Sequence, residues 1–151
     1  MSIKTPNFLE VKSLLKFNDE VEILANACFT LNQDYCDAVN YDYDYKYWED
    51  LAREDQLNYI AAVVILINKL ELMYPQNRIP EVLAKEQHDE WVKSKTEMGW
   101  IYGEEVDPEA KTHPDLVEWD KLSHTEKMKD LLFVTTVLAH FDRIIAIIKS
   151  K

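Results

Sequence analysis

Apolar positions along this chain recur at intervals of three and four residues almost throughout, the period of one helical face. Thr5-Pro6 opens the first run as an N-cap followed by proline, and Phe8, Val11, Leu14 and Leu15 carry it to about Asn18. From Asn18 a second run, Val21, Leu24, Ala25, Cys28, Leu31 and Tyr35, predicts a helix to about Val39; Asp19, Glu20 and Glu22 suit its positive end. A third helix begins at Asp50 or Asp55 and continues to about Met73. Its centre, Ile60 to Ile67, is apolar on every side, which predicts a central helix covered from several directions. Tyr74-Pro75 ends it, because the residue before proline avoids the helical region. Pro80 opens a fourth, through Val82, Leu83, His88, Trp91 and Met98. Ser123 and Glu126 form a capping box for the last, which carries Met128, Leu131, Leu132, Thr135, Leu138 and Ile145 nearly to the C-terminus.

The rhythm breaks twice. Asn40 to Trp48 alternates tyrosines with acids, which reads as an ordered surface connection whose aromatics pack down while its acids face water. The lesser alternative for the same stretch is a partner-binding patch. The second break follows Gly99-Trp100-Ile101-Tyr102-Gly103, which holds both glycines of the chain. Gly99 supplies the helix C-cap, where a left-handed residue is usual. Residues 100–122 are irregular, punctuated by Asp107-Pro108 and His113-Pro114, with Leu116, Val117 and Trp119 as a short extended piece on the core.

Composition narrows the classes. The 151 residues suit one domain with a proper core, and the net charge of −11 argues against nucleic acid and anionic membrane as partners. No signal-like run opens the chain, and Ile60–Ile67 is far short of the ~20 residues of a membrane span, so a cytoplasmic protein is expected, in the host cytoplasm if viral. Cys28 and Cys36, eight apart on one helix, lie roughly 12 Å from each other, too far for a disulfide, and read as buried thiols. No cysteine or histidine pair has metal-ligand spacing, and no cofactor is expected. With two glycines there is no phosphate cradle, and neither a zinc pair nor a nucleophile elbow occurs. A non-catalytic role is therefore expected, with a hydrolase using Glu105, Asp107 and His113 as the weaker alternative.

What remains is a long constellation: His88, Trp91, Lys95, Gly99-Trp100, Tyr102-Gly103, Asp107, Lys111, His113-Pro114 and Leu116-Val117, continuing through Trp119, Leu122, Glu126, Lys127 and Asp130. It resembles the ryanodine receptor repeat, the RyR domain, in its stand-alone bacterial and phage form. Upstream, Ala27-Cys28, Asn32, Tyr35-Cys36 and Trp48-Glu49-Asp50 stand at matching places, so the resemblance spans roughly Ala27 to Phe133. The chain departs from the pattern with Phe29-Thr30 for the usual His-Glu, Asp115 for a small residue, and Trp119 for Tyr or Phe.

The resemblance implies a mainly α fold, a compact bundle of four to five helices with a small extended or β-hairpin element around residues 100–117. Residues 1–17 would form an N-terminal helical extension and 18–151 a single RyR-like domain. It also implies a ligand derived from a nucleotide. On a helix, Trp91, Lys95 and Met98 share one face that leads into Trp100 and Tyr102, an aromatic wall able to stack a base. Lys95 and Lys111 would meet phosphates, His113 a ribose or phosphate oxygen, and Asp107 or Glu105 hydroxyls or an amine. The competing reading makes Trp91 and Trp100 core, has Asp107 cap a turn and His113-Pro114 lock the loop, and pairs Lys95 and Lys111 with Asp107 or Glu109. Without an output domain, binding would serve sequestration of a nucleotide signal, as in phage–host conflict. The alternative is a protein-interaction or self-assembling module, docking through the tyrosines or forming a homo-oligomer through the apolar end Ile144–Ile148.

Overall fold

The computed structural model describes residues 19–72 and 78–150, apart from the side chain of Ile148. The expected helix through Phe8 to Leu15, the 1–17 extension and the Tyr74-Pro75 stop lie outside the described residues. Four helices are seen among them: α1 (Asp19–Ala38), α2 (Arg53–Leu72), α3 (Pro80–Glu97) and α4 (His124–Lys149). A parallel pair of two-residue strands, β1 (Ile101–Tyr102) and β2 (Thr112–His113), completes the mainly helical fold with short 3-10 turns at Trp48–Asp50 and Trp119–Lys121.

The helix that packs closely on all the others is α4, more than the apolar segment of α2. Glu20 at the start of α1 pairs with Arg143 near the end of α4, whereas Tyr41, just past α1, reaches Glu126 in the first turn of α4. The two therefore run antiparallel. Val134, Val137, Phe141 and Ile144 of α4 are buried against Val21, Leu24, Cys28, Ile60, Ile67 and Leu83 in one core. Ile144 is wholly buried and Ile145 packs on the core, so the apolar C-terminal end is inward in part. Both cysteines are free and buried, and burial pushes the Cys28 thiol up to about 12.

On α2, Ile60, Ala61, Val63, Val64, Leu66, Ile67 and Leu70 are buried, but Ala62 and Ile65 are only half-covered. A helix apolar all round with one side uncovered leaves an apolar strip for something else. α3 does not close over that strip: the backbones of α2 and α3 stand apart, and Lys69 of α2 reaches across to Glu86 and Glu90 of α3.

The tyrosine-rich connection departs from expectation. Trp48 packs down, but Tyr41, Tyr45 and Tyr47 are exposed and Tyr43 is half-buried. Phe29, Trp48 and Tyr59 form an edge-to-face cluster beneath the connection.

Gly99, at φ +89°, ends α3 as the sequence requires. Its N–H donates to Thr96 O, and Trp100 N–H donates to Lys95 O, the bond pair of a left-handed helix cap. Lys111 Nζ donates to Met98 O at 3.0 Å, so a cation also satisfies the negative end of the helix. Beyond Gly103 the chain loops out and returns. Asp107 exchanges both backbone bonds with Thr112 in an antiparallel bridge, and its carboxylate accepts from the N–H groups of Glu109 and Ala110. Lys111, at φ +56°, then redirects the chain so that β2 runs parallel to β1 rather than as the second arm of a hairpin. A Cβ on Gly103 would lie 2.5 Å from Thr112 Cβ; only glycine permits this approach.

Candidate functional site

Two concavities flank Trp91. The larger is a groove of about 420 Å³ between α2 and α3, within the range of small-molecule sites. Ala62, Ile65 and Leu66 form one wall; Leu83 and Trp91 face them from α3, with Met98 just past its end. The groove exists because the apolar strip of α2 stays open. Its polar groups are Lys69, Glu90 and Lys95, with Asn58, Gln87 and Ser94.

The two lysines differ in availability. Lys69 is held by Glu86 at 2.8 Å and Glu90 at 3.3 Å. Burial opposes its charge, but those carboxylates outweigh the cost and keep its pKa above the ordinary value. Lys95 has no carboxylate partner among the described residues. Its ammonium sits 4.6 Å from the Trp100 ring centroid, a contact that places the charge at the groove without neutralising it.

The second concavity, about 200 Å³, lies on the other side of Trp91 and is mostly polar. His88, His113, Asp115, Glu126 and Asp130 line it, and Gln87 and Trp91 belong to both spaces. An aromatic line makes the partition: Trp119 beside His88, His88 stacked on Trp91, and Trp91 edge-on to His113. His88 is 5% exposed and its Nε2 lies 2.7 Å from Val117 O, so the ring is a packed strut. His113 Nδ1 accepts from Asp115 N–H at 3.0 Å, and burial lowers its pKa, leaving a neutral ring favoured.

Ser123 Oγ accepts from Glu126 N–H as a capping box predicts, but the Glu126 carboxylate turns instead to the Tyr41 hydroxyl. Burial opposes the charge of Glu126; the bond from Tyr41 and the nearby Lys129 ammonium hold its pKa below the usual range. Its neighbours give way. Burial and the Glu126 charge raise Asp115, and the same two causes, with Asp115, push Asp130 up to about 7. Among the described residues no three histidine, cysteine or acidic groups are placed to hold a metal ion.

Of the expected ligand residues, Trp91 and Lys95 line the groove, Trp91 and His113 line the cavity, and Trp100 backs Lys95. Tyr102 is 56% exposed and lines neither space, while Asp107 and Lys111 support the loop and the helix end. Glu105 contributes its backbone carbonyl to Thr112 Oγ1. Sequence reasoning missed the α2 wall and the grouping of Asp115, Glu126 and Asp130. The spacing of Glu126 and Asp130, four apart on one helix face, was the signal available for the second.

A family model for the RyR domain matches residues 65–144, more than half of the chain. The protein belongs to the RyR domain family. The match starts later than the resemblance at Ala27 and ends later than Phe133; it takes in the α3 wall of the groove, the strand pair and the polar cavity.

Proposed function

We propose that this RyR domain is a non-catalytic binding protein that takes a nucleotide-derived small molecule in the groove between α2 and α3. Binding would hold the molecule out of solution, sequestering a signalling nucleotide in conflict between phage and host. The observation that carries this reading is the pairing of an apolar slot with an uncompensated cation. Ala62, Ile65, Leu83 and Trp91 offer flat apolar contact to a base, and Lys95, turned over Trp100, meets a phosphate beside it. The Asp107 carboxylate, already engaged by two backbone N–H groups, favours binding over hydrolysis.

The test is thermal shift and calorimetry with ADP-ribose, cyclic ADP-ribose isomers, mononucleotides and dinucleotides. At least one should stabilise the protein and be recovered chemically unchanged after heat release. Lys95→Gln should keep the melting temperature of the free protein and weaken a phosphate-bearing ligand by roughly tenfold, the loss of one charge-assisted contact. Absence of stabilisation by every member at millimolar concentration would reject the reading for these classes.

A further inference from the structure

The exposed tyrosines of residues 41–47 lie outside the family match and play no part in the groove. One of them, Tyr45, lines a shallow pocket of about 340 Å³ at the junction of α1, this connection and the start of α2. Its base is aromatic: Phe29 and Tyr59 meet edge to face at 5.4 Å. One wall is Tyr45, whose carbonyl accepts from Gln33 Nε2 at 2.5 Å, so the backbone is fixed while the side chain stays 48% exposed. Two exposed acids, Asp44 and Asp55, line it as well, beside Gln33, Leu51 and Asn58.

The cations nearest in sequence are already used. Lys46 pairs with Asp34 and Asp37, and Arg53 with Glu22 at 2.8 Å and with Gln56. Asp44 and Asp55 have no ion-pair partner among the described residues. Aromatic faces beside free carboxylates make a receptor for an organic cation, because ring quadrupole and carboxylate attract the same charge. A chain with net charge −11 also draws basic partners over distance. Tyr47, 59% exposed on the same connection, extends the contact past one side chain, which suits a polypeptide better than a free amine.

We propose that this pocket receives a lysine or arginine side chain presented by a basic segment of a protein partner, with Tyr45 and Tyr59 against the cation and Asp44 and Asp55 taking its N–H groups. The pocket shares only Asn58 with the groove between α2 and α3, so either reading survives failure of the other.

Fluorescence polarisation on the full chain tests this, using a fluorescein-labelled Arg-Gly-Ser repeat of about twelve residues and a citrulline-for-arginine copy as probes. The arginine peptide should bind and the citrulline peptide should not, with affinity falling as salt rises. The double variant Asp44→Asn/Asp55→Asn should weaken binding roughly tenfold or more, as should Tyr45→Ala, while Tyr45→Phe keeps it. Glu104→Gln/Glu109→Gln, on the loop after β1, removes the same charge elsewhere and should leave binding unchanged. Two results overturn the proposal: no binding of the arginine peptide at low salt, or an equal loss in the Glu104/Glu109 variant. The second would mean attraction to net charge alone. Because these substitutions lie on exposed side chains, a circular-dichroism melt separates loss of binding from loss of fold.

Discussion

Trp91 meets His113 edge to face with ring centroids 5.0 Å apart, and this contact closes the wall between an apolar groove and an acidic cavity. Within that cavity, burial shifts the histidine and the two aspartates in opposite directions. His113 is favoured neutral, whereas Asp115 and Asp130 are favoured protonated.

The pH dependence of stability follows from those directions. For His113 the unfolded chain binds the proton more readily, so its contribution is present above about pH 6.5 and lost as pH falls. For Asp130 the folded chain binds it more readily, so stability falls as pH rises from about 4 to about 7 and is level beyond. His113→Gln should therefore leave a steeper decline toward neutral pH. Asp130→Asn should flatten that decline and raise stability at pH 8 by on the order of 1–3 kcal/mol. Urea unfolding of both variants from pH 4.5 to 8 checks this; parallel profiles would contradict it.

The two glycines should differ in cost. Gly103→Ala forces a Cβ to within 2.5 Å of Thr112 Cβ across a locked strand pair, and should lose about 2–3 kcal/mol in chemical unfolding. Gly99→Ala meets nothing closer than 3.8 Å but must hold φ at +89°, and should lose about 1 kcal/mol.

Lys111→Met removes the bond to Met98 O while keeping much of the side-chain length. It should lower stability by about 0.5–1 kcal/mol through the exposed helix end and leave nucleotide affinity in the groove unchanged. Calorimetry on the same variant would reveal any direct role in binding as a drop in affinity.

Ala62→Phe projects a ring into the groove from its α2 wall. Because the strip is already open, the chain should fold with a melting temperature near that of the parent, yet show no ligand-induced shift.

The helices were legible because their apolar periods are regular and their ends carry strong local devices: proline at the start of α3, Gly99 at its end, Ser123 before α4. The groove was not. Ala62 and Ile65 read as core beside Ile60 and Val64, and whether a neighbour covers them depends on how α3 leans, which no local pattern encodes. Tyr45 and Tyr47 read as packed for a related reason: their alternation with acids marks one face but does not say whether a neighbour covers it. The parallel direction of β2 turned on Lys111 adopting positive φ, a conformation that residue type does not advertise. Tyr102, Asp107 and Lys111 were grouped with Trp91 by pattern; in space they serve the loop and its surface.

The placement of the four tryptophans has an optical consequence. Trp48 and Trp119 are buried in the core, while Trp91 and Trp100 are half-exposed beside the groove, Trp91 against its opening and Trp100 under the Lys95 ammonium. The inner pair should emit as a constant, blue-shifted background, and the outer pair should change in intensity and wavelength when water leaves the slot. The molecule thus carries its own occupancy dye, and a titration followed by intrinsic fluorescence needs no label to find whatever fits between α2 and α3.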